Sequence, residues 1–101
     1  MTRVAVFHPE ALAELREAEA WYETEQPGLG AEFLAEVNRC ITAVCENPHS
    51  YPVVVNEIRS ARLRRFTRYS VYFETRGDEE LFVYAVFHAS RDPAVWQARL
   101  P

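Results

Sequence analysis

Lysine is absent from this chain of 101 residues, and all eleven of its basic residues are arginine. Glycine and proline are scarce, at three and six residues, which excludes collagen-like and low-complexity proteins. No apolar run approaches the roughly 18 residues that a membrane-spanning helix needs. The N-terminal stretch lacks the long apolar core and the cleavage site of a secretory signal. We therefore expect a cytoplasmic protein with no membrane partner.

Cysteine and histidine are also few. Cys40 and Cys45 lie five residues apart in a segment of helical periodicity. Five residues turn a helix through roughly 500°, which leaves the two side chains about 140° apart and excludes a disulfide between them. We predict two buried free thiols. His8, His49 and His88 are scattered without zinc-ligand spacing, so no metal site and no cofactor is expected.

The composition is that of one folded domain covering residues 1–101, with 49% hydrophobic and 26% charged residues. The net charge of -4 and the pI of about 5.3 disfavour a protein that binds nucleic acid mainly through its overall charge. A local basic patch can still oppose the net sign. Sequence-specific DNA binding by this chain alone is not expected.

The charges are unevenly distributed along the chain. Nine Glu and only two Arg lie between Glu10 and Glu46, whereas six Arg and one Glu lie between Arg59 and Arg76. A basic surface that faces an acidic partner or nucleic acid would explain this asymmetry. The alternative is that the arginines cover an exposed sheet and pair with the acidic helices, as surface ion pairs commonly do.

The first half of the chain reads as one strand and two helices. Residues 3–8 favour a strand, and Pro9 suits the first turn of a helix that ends at the PGLG sequence of residues 27–30. Ala11, Leu15, Ala18 and Tyr22 form the apolar face of that helix, and Glu14 is expected to fall off it. A second helix is predicted from about residue 31 to residue 46, where Asn47-Pro48 ends it.

The second half reads as a sheet. We predict strands at 58–65, 69–75 and 81–89, a turn at 76–80, and a short helix beginning at Pro93. The predicted fold is α+β, with a two-helix hairpin packed on a small antiparallel sheet in the order β-α-α-β-β-β. Because only the short C-terminal helix covers the other sheet face, a concave apolar surface is expected to remain there. The alternative is that the loop at 48–57 folds over it.

Four fragments in this order carry a resemblance to a known family: FHPEALAEL with WYE, ENPHSYP, RLRRFTRYSVYFE, and VFHASRDPAVWQAR. They resemble the opening, the helix-to-proline junction, the Arg-rich strand with its aromatic hairpin, and the C-terminal signature of the ParE/RelE superfamily. These proteins are bacterial toxins of type II toxin–antitoxin systems. The resemblance covers nearly the whole chain.

The resemblance implies a cytoplasmic bacterial toxin with a role in plasmid stabilisation. It implies a cognate antitoxin similar to ParD or RelB, which binds the toxin in a hetero-oligomer. ParE-like members poison DNA gyrase, whereas RelE-like members cleave messenger RNA on the ribosome. An orphan that binds an antitoxin but is no longer toxic is a third possibility.

The residues favour the ParE-like branch. Ribosome-dependent cleavage needs a base, an acid and cations for the phosphate. RelE-like nucleases supply these from several Lys and Arg and often a C-terminal Tyr, but here Ser70 stands at a position that is often Arg and Trp96 replaces the Tyr. A nuclease centre of Arg64, His88 and Arg91 would be incomplete. We therefore expect a protein that acts by binding rather than as an enzyme.

The residues predicted to bind the target or the antitoxin combine two tryptophans with arginines of the basic stretch and the C-terminal signature. They are Trp21, Arg62, Arg64, Arg65, Arg68, Arg91 and Trp96. Structural roles are the favoured alternative for four residues near the C-terminus. Trp96 is favoured to pack the last helix onto the sheet, His88 to be a satisfied structural residue, and Asp92 to cap the last helix while Arg91 helps build the turn.

Overall fold

A computed structural model describes residues 3–101 of the chain. Its elements, in chain order, are β1 (Val4–Phe7), α1 (Pro9–Glu25), α2 (Leu29–Glu46), a 3₁₀ turn (Pro48–Ser50), β2 (Val53–Val55), β3 (Ile58–Arg62), β4 (Tyr69–Arg76), β5 (Glu80–His88) and α3 (Ala94–Gln97). In this part of the chain no helix combines the length and the apolar character that crossing a membrane requires.

The strands form one five-stranded sheet in the order β1-β5-β4-β3-β2. The predicted α+β fold class is confirmed, with two differences. First, β1 pairs parallel with β5, so the sheet is mixed rather than wholly antiparallel. Second, residues 53–55 form a strand, although they were predicted as part of a loop. Asn56 occupies the left-handed region at φ 48° and closes the turn between β2 and β3, because Asn tolerates that conformation.

The helices pack on one face of the sheet and enclose the main core. Phe33, Val44, Val71 and Leu81 are fully buried there. The two helices approach closely at Gly30, where a Cβ atom would lie 2.7 Å from the carbonyl oxygen of Glu19. Glycine is therefore required at this helix crossing.

Both cysteines are buried and unbridged, as predicted. Burial raises the pKa of the Cys40 thiol to about 11, which keeps it protonated at neutral pH. The thiols therefore act as small apolar side chains of the core.

The other sheet face does not keep the open concave surface that the sequence predicted. Trp96 of α3 is 2% exposed and stacks on Tyr72, with ring centroids 4.3 Å apart and an interplanar angle of 11°. Ile58 and Phe87 are buried in the same cluster, and Val55 of β2 packs against it. The ring of Trp96 covers much more of this sheet face than the short length of α3 suggests, and the β2–β3 hairpin covers a further part of the same face. The exposed apolar residues of the sheet lie instead on its two outer strands, at Val4, Val6, Val53 and Val54.

Candidate interaction site

The last residue of β3 and the connection to β4, residues 62–68, present four of the predicted arginines and are together called the Arg loop. Hydrogen bonds close it from within: Leu63 N donates to Tyr69 O, Tyr69 N to Phe66 O, and the Nε of Arg62 to Thr67 O at 2.8 Å. A fixed backbone of this kind holds the outward-facing guanidinium groups in a restricted set of positions.

Phe66 lies at the tip of the Arg loop with a φ of 63°, in the left-handed region that bulky residues rarely adopt. Its ring contacts Tyr22 and Phe33, at centroid distances of 4.7 and 5.2 Å, and Tyr69 lies 5.1 Å from Phe33. These aromatic contacts compensate for the unfavourable backbone conformation. Burial raises the pKa of Tyr22 and Tyr69, so neither phenol is a base at neutral pH.

Glu36 of α2 anchors the backbone of the Arg loop. Its Oε2 accepts hydrogen bonds from the backbone N–H groups of Arg64 and Arg65, at 2.6 and 3.0 Å. Its Oε1 accepts from the Nε of Arg39 at 2.6 Å. The hydrogen bond from Arg39, followed by those from the loop backbone, lowers the pKa of Glu36 to about 2 despite its burial. Glu36 was not predicted from the sequence, although an acidic side chain between Phe33 and Val37 on an apolar stripe is a usable signal.

The arginines of the Arg loop differ in their partners. Arg65 forms an ion pair with Glu32 at 2.5 Å and lies over the ring of Phe66. Among the carboxylates of residues 3–101, none lies within 4 Å of the guanidinium nitrogens of Arg62, Arg64 or Arg68. All three side chains are exposed. Pairing with the acidic helices therefore accounts for one arginine of the loop and leaves three available.

A cleft of about 290 Å³ lies beside the Arg loop, between α1 and the end of β5. Its lining residues are Glu14, Glu17, Ala18, Trp21, Tyr69, Val86, His88 and Arg91. The exposed fraction of Trp21 is 57%, so its indole forms an accessible apolar wall. The rings of Tyr69 and His88 meet edge to face, with centroids 5.0 Å apart. Tyr69 follows Arg68 directly, so the Arg loop leads in sequence into the lining of the cleft.

Glu14 forms the floor of the cleft and is buried, contrary to the prediction that it falls off the apolar face of α1. It accepts a hydrogen bond from Val86 N and bonds with the guanidinium groups of Arg91 and Arg99, at 2.8 and 2.7 Å. Strand β1 pairs with β5 only as far as Val83. Beyond Val83, β5 has no strand beside it on the β1 side. Glu14 therefore accepts from the N–H of Val86, and Arg99 donates to the carbonyl oxygen of Tyr84.

Two of the three candidate nuclease residues line the cleft. They are His88 and Arg91, whereas Arg64 is not a lining residue and its backbone N–H donates to Glu36. The Nδ1 of His88 accepts from Ser90 N at 3.0 Å, and Arg91 is bonded to Glu14. Asp92 accepts from Ala94 N at the start of α3, as predicted for a cap. Trp96 is buried, which confirms its packing role and removes it from the accessible binding surface.

Comparison with known proteins identifies the family. A family model described as the ParE toxin of the type II toxin–antitoxin system parDE matches residues 5–93. The chain belongs to the ParE toxin family. A solved structure described as the chromosomal ParDE toxin–antitoxin system from P. aeruginosa has the same fold, with a TM-score of 0.73 and 15% sequence identity. The match covers 86% of this chain and 96% of the other. No curated protein matches the chain significantly.

The described residues form no metal site at the Arg loop or at the cleft. Among residues 3–101, no group of three or more His, Cys, Asp or Glu side chains is arranged to hold a metal ion. The cleft presents the aromatic rings of Trp21 and Tyr69, the imidazole of His88, the guanidinium group of Arg91 and the carboxylates of Glu14 and Glu17.

Proposed function

We propose that this ParE-family chain acts in the cytoplasm as a toxin that binds and inhibits DNA gyrase, and that a cognate antitoxin neutralises it in a hetero-oligomer. The observation that carries the proposal is the family match over residues 5–93. Trp21, Tyr69 and Arg91 on an accessible cleft support a mechanism of binding, because Trp, Tyr and Arg dominate the energetics of protein interfaces.

The disposition of the titratable groups also supports binding over catalysis. Cleavage of RNA needs a base and an acid on opposite sides of the reacting phosphate, with cations beside it. The Nδ1 of His88 is engaged by Ser90, and Arg91 is bonded to Glu14. Burial raises the pKa of Tyr69, so its phenol stays protonated at neutral pH and offers no phenolate to act as a base. His88 and Arg91 are thus engaged in hydrogen bonds within the protein, which favours a structural role for them over a catalytic one.

The first test is a supercoiling assay with purified gyrase and the purified chain. We expect inhibition of supercoiling and accumulation of gyrase-linked cleaved DNA. We also expect Trp21→Ala to weaken inhibition, whereas Val54→Ala, which alters another exposed apolar residue on the far sheet edge, leaves it unchanged. Normal supercoiling in the presence of excess folded protein would remove gyrase as the target.

A second candidate, a ribosome-dependent endonuclease, is favoured by one observation: His88 and Arg91 share the cleft with Tyr69. It predicts messenger RNA cleavage in a translating extract that His88→Ala and Arg91→Ala each abolish. An intact message in that extract excludes it. If expression causes neither DNA damage signalling nor arrest of translation, the chain is instead an antitoxin-binding orphan.

A further inference from the structure

Strand β1 ends the sheet on one side, and its outer edge is open to pairing. Among residues 3–101, β1 has a strand beside it only on the β5 side. Val4 N and His8 N donate towards β5, at 2.8 and 2.9 Å. Because successive backbone groups of a strand point to opposite sides, the N–H and C=O groups of Ala5 and Phe7 point away from β5. They form a row of donors and acceptors along the sheet edge.

The two edges of the sheet differ in how they are protected against pairing with another chain. The β2 edge follows Pro52, which has no N–H group, and its ladder with β3 is irregular between Val53 and Val55. Proline, bulges and charged side chains are the usual protection of an edge strand. Strand β1 has the sequence VAVF, without proline or charge, and its register with β5 is regular. The β1 edge is therefore the unprotected one.

The side chains of β1 on the sheet face opposite the helices are apolar and accessible. The exposed fractions are 67% for Val4 and 38% for Val6. Val6 lies in register with Phe82 of β5, and the Cζ of Arg76 lies 3.8 Å from the centroid of the Phe82 ring. Pairing with another apolar strand removes such valines from water, which is favourable. The β1 edge therefore suits an uncharged extended segment with apolar residues at alternate positions.

Strand β1 itself meets this description, and its register with a second copy is self-complementary. In an antiparallel pair about a two-fold axis, the outward groups of Ala5 face those of Phe7 of the second copy, and each such pair exchanges both backbone hydrogen bonds. Val6 then lies on the axis, opposite the Val6 of the second copy. Theirs is a non-hydrogen-bonded pair, whose Cα atoms are about 4.5 Å apart. An isologous contact of this kind closes as a dimer.

We propose that the edge of β1 is a self-association surface, at which two copies of this chain pair antiparallel about Val6 and continue the sheet from one copy into the other. The strand has four residues and is about 13 Å long. A strip of that length offers less than the roughly 800 Å² per partner of a stable complex. The dimer is therefore weak and reversible, with a dissociation constant above about 1 µM. The inference is independent of the toxic target.

Disulfide cross-linking of the purified chain under mild oxidation tests the register. Val6→Cys should give a cross-linked dimer on a non-reducing gel, because a Cα separation of about 4.5 Å lies within the range that a disulfide spans. The matched control is Val4→Cys, at a more exposed position of the same strand. Its counterpart in the second copy lies about 14 Å further along the pair, too far for a disulfide. The wild type, with Cys40 and Cys45 buried, gives the background.

Sedimentation velocity measures the association without a new thiol. The weight-average mass of the wild type should rise with protein concentration. Val6→Lys should raise the dissociation constant of the dimer at least about tenfold, because like charges then face each other across the axis. Val54→Lys, which makes the same change at an exposed valine of the β2 edge, should leave the dissociation constant unchanged. Circular dichroism confirms that all variants are folded.

Three outcomes overturn the proposal. A mass that stays monomeric at every concentration would show that the edge does not pair. Cross-linking of Val4→Cys as efficient as that of Val6→Cys would indicate random collision rather than a fixed register. A greater loss of association in Val54→Lys than in Val6→Lys would assign the contact to the β2 edge. These measurements use the chain alone, so their result is separate from that of the supercoiling assay.

Discussion

Two buried glutamates organise the surface of this toxin. Glu14 and Glu36 are only 8% and 9% exposed, and each carboxylate holds a segment distant in sequence. Glu14 binds the end of β5 and the C-terminal arginines, and Glu36 binds the Arg loop. Buried carboxylates are retained only where charged or backbone donors surround them, as they do here. Both residues look like ordinary surface acids in a helix until their partners are known.

The lowered pKa of Glu36 predicts a pH dependence of stability. A carboxyl whose folded pKa is about 2, against an ordinary value of 4.5, stabilises the fold fully above pH 4.5 and loses that contribution as the pH falls through about 2. Denaturant unfolding of the wild type and of Glu36→Gln should differ most above pH 5. The difference should shrink by at most about 3 kcal/mol towards pH 2. Parallel pH profiles for the two proteins would contradict the assignment.

The last helix shows how much a short element can contribute. Helix α3 has only four residues, yet its Trp96 stacks on Tyr72 and closes the cluster on the second sheet face. The same segment is attached through Arg91 and Arg99 to Glu14. One aromatic side chain and two ion pairs therefore replace the long apolar face that a covering helix usually provides.

Removing the ring of Trp96 should expose this second cluster. We expect Trp96→Ala to lower the free energy of unfolding by about 3–5 kcal/mol, and Trp96→Phe to lower it by less because the stacking partner is kept. Val95→Ala, at an exposed position on the same helix, should cost less than about 1 kcal/mol. Urea titrations followed by circular dichroism measure all three. Equal effects of Trp96→Ala and Val95→Ala would show that α3 is not packed.

At the scale of the whole molecule, opposite charges are partly paired and partly segregated. Arg39 and Arg65 meet glutamates of α2, whereas Arg62, Arg64 and Arg68 have no carboxylate partner among residues 3–101. The pairing interpretation of the charge asymmetry therefore holds for Arg65 of the basic stretch, whereas the partner-binding interpretation stays a prediction for the other three arginines of the loop. The chain has a net charge of -4, so the local charge of the Arg loop is opposite in sign to the charge of the whole chain.

An antitoxin that binds only the folded toxin should stabilise it. At a free concentration of about one hundred times its dissociation constant, a partner adds about 2.7 kcal/mol to the free energy of unfolding. For a domain of this size, the melting temperature should rise by about 13 °C. Differential scanning fluorimetry with the product of the neighbouring gene measures the shift. An unchanged melting temperature would argue against that product as the antitoxin.

Adjacent residues determined most of the secondary structure. Pro9 marks the start of α1, the apolar stripe predicts α2, and Asp92-Pro93 predicts the start of α3, because helix signals depend on neighbours within a few positions. Strand β2 was missed because it is only three residues long and its turn uses Asn56 without a glycine. The fragments that carry the family resemblance are likewise local, so the sequence alone was sufficient to indicate the family.

The tertiary structure alone decided which polar residues are buried and which sheet face is covered. Glu14 and Arg99 are 85 positions apart in sequence, and no local pattern pairs them. The parallel pairing of β1 with β5 and the closure of the second face by Trp96 depend in the same way on distant segments. Burial and pairing follow from the three-dimensional arrangement of the whole chain, whereas helix and turn signals are encoded within a few consecutive residues.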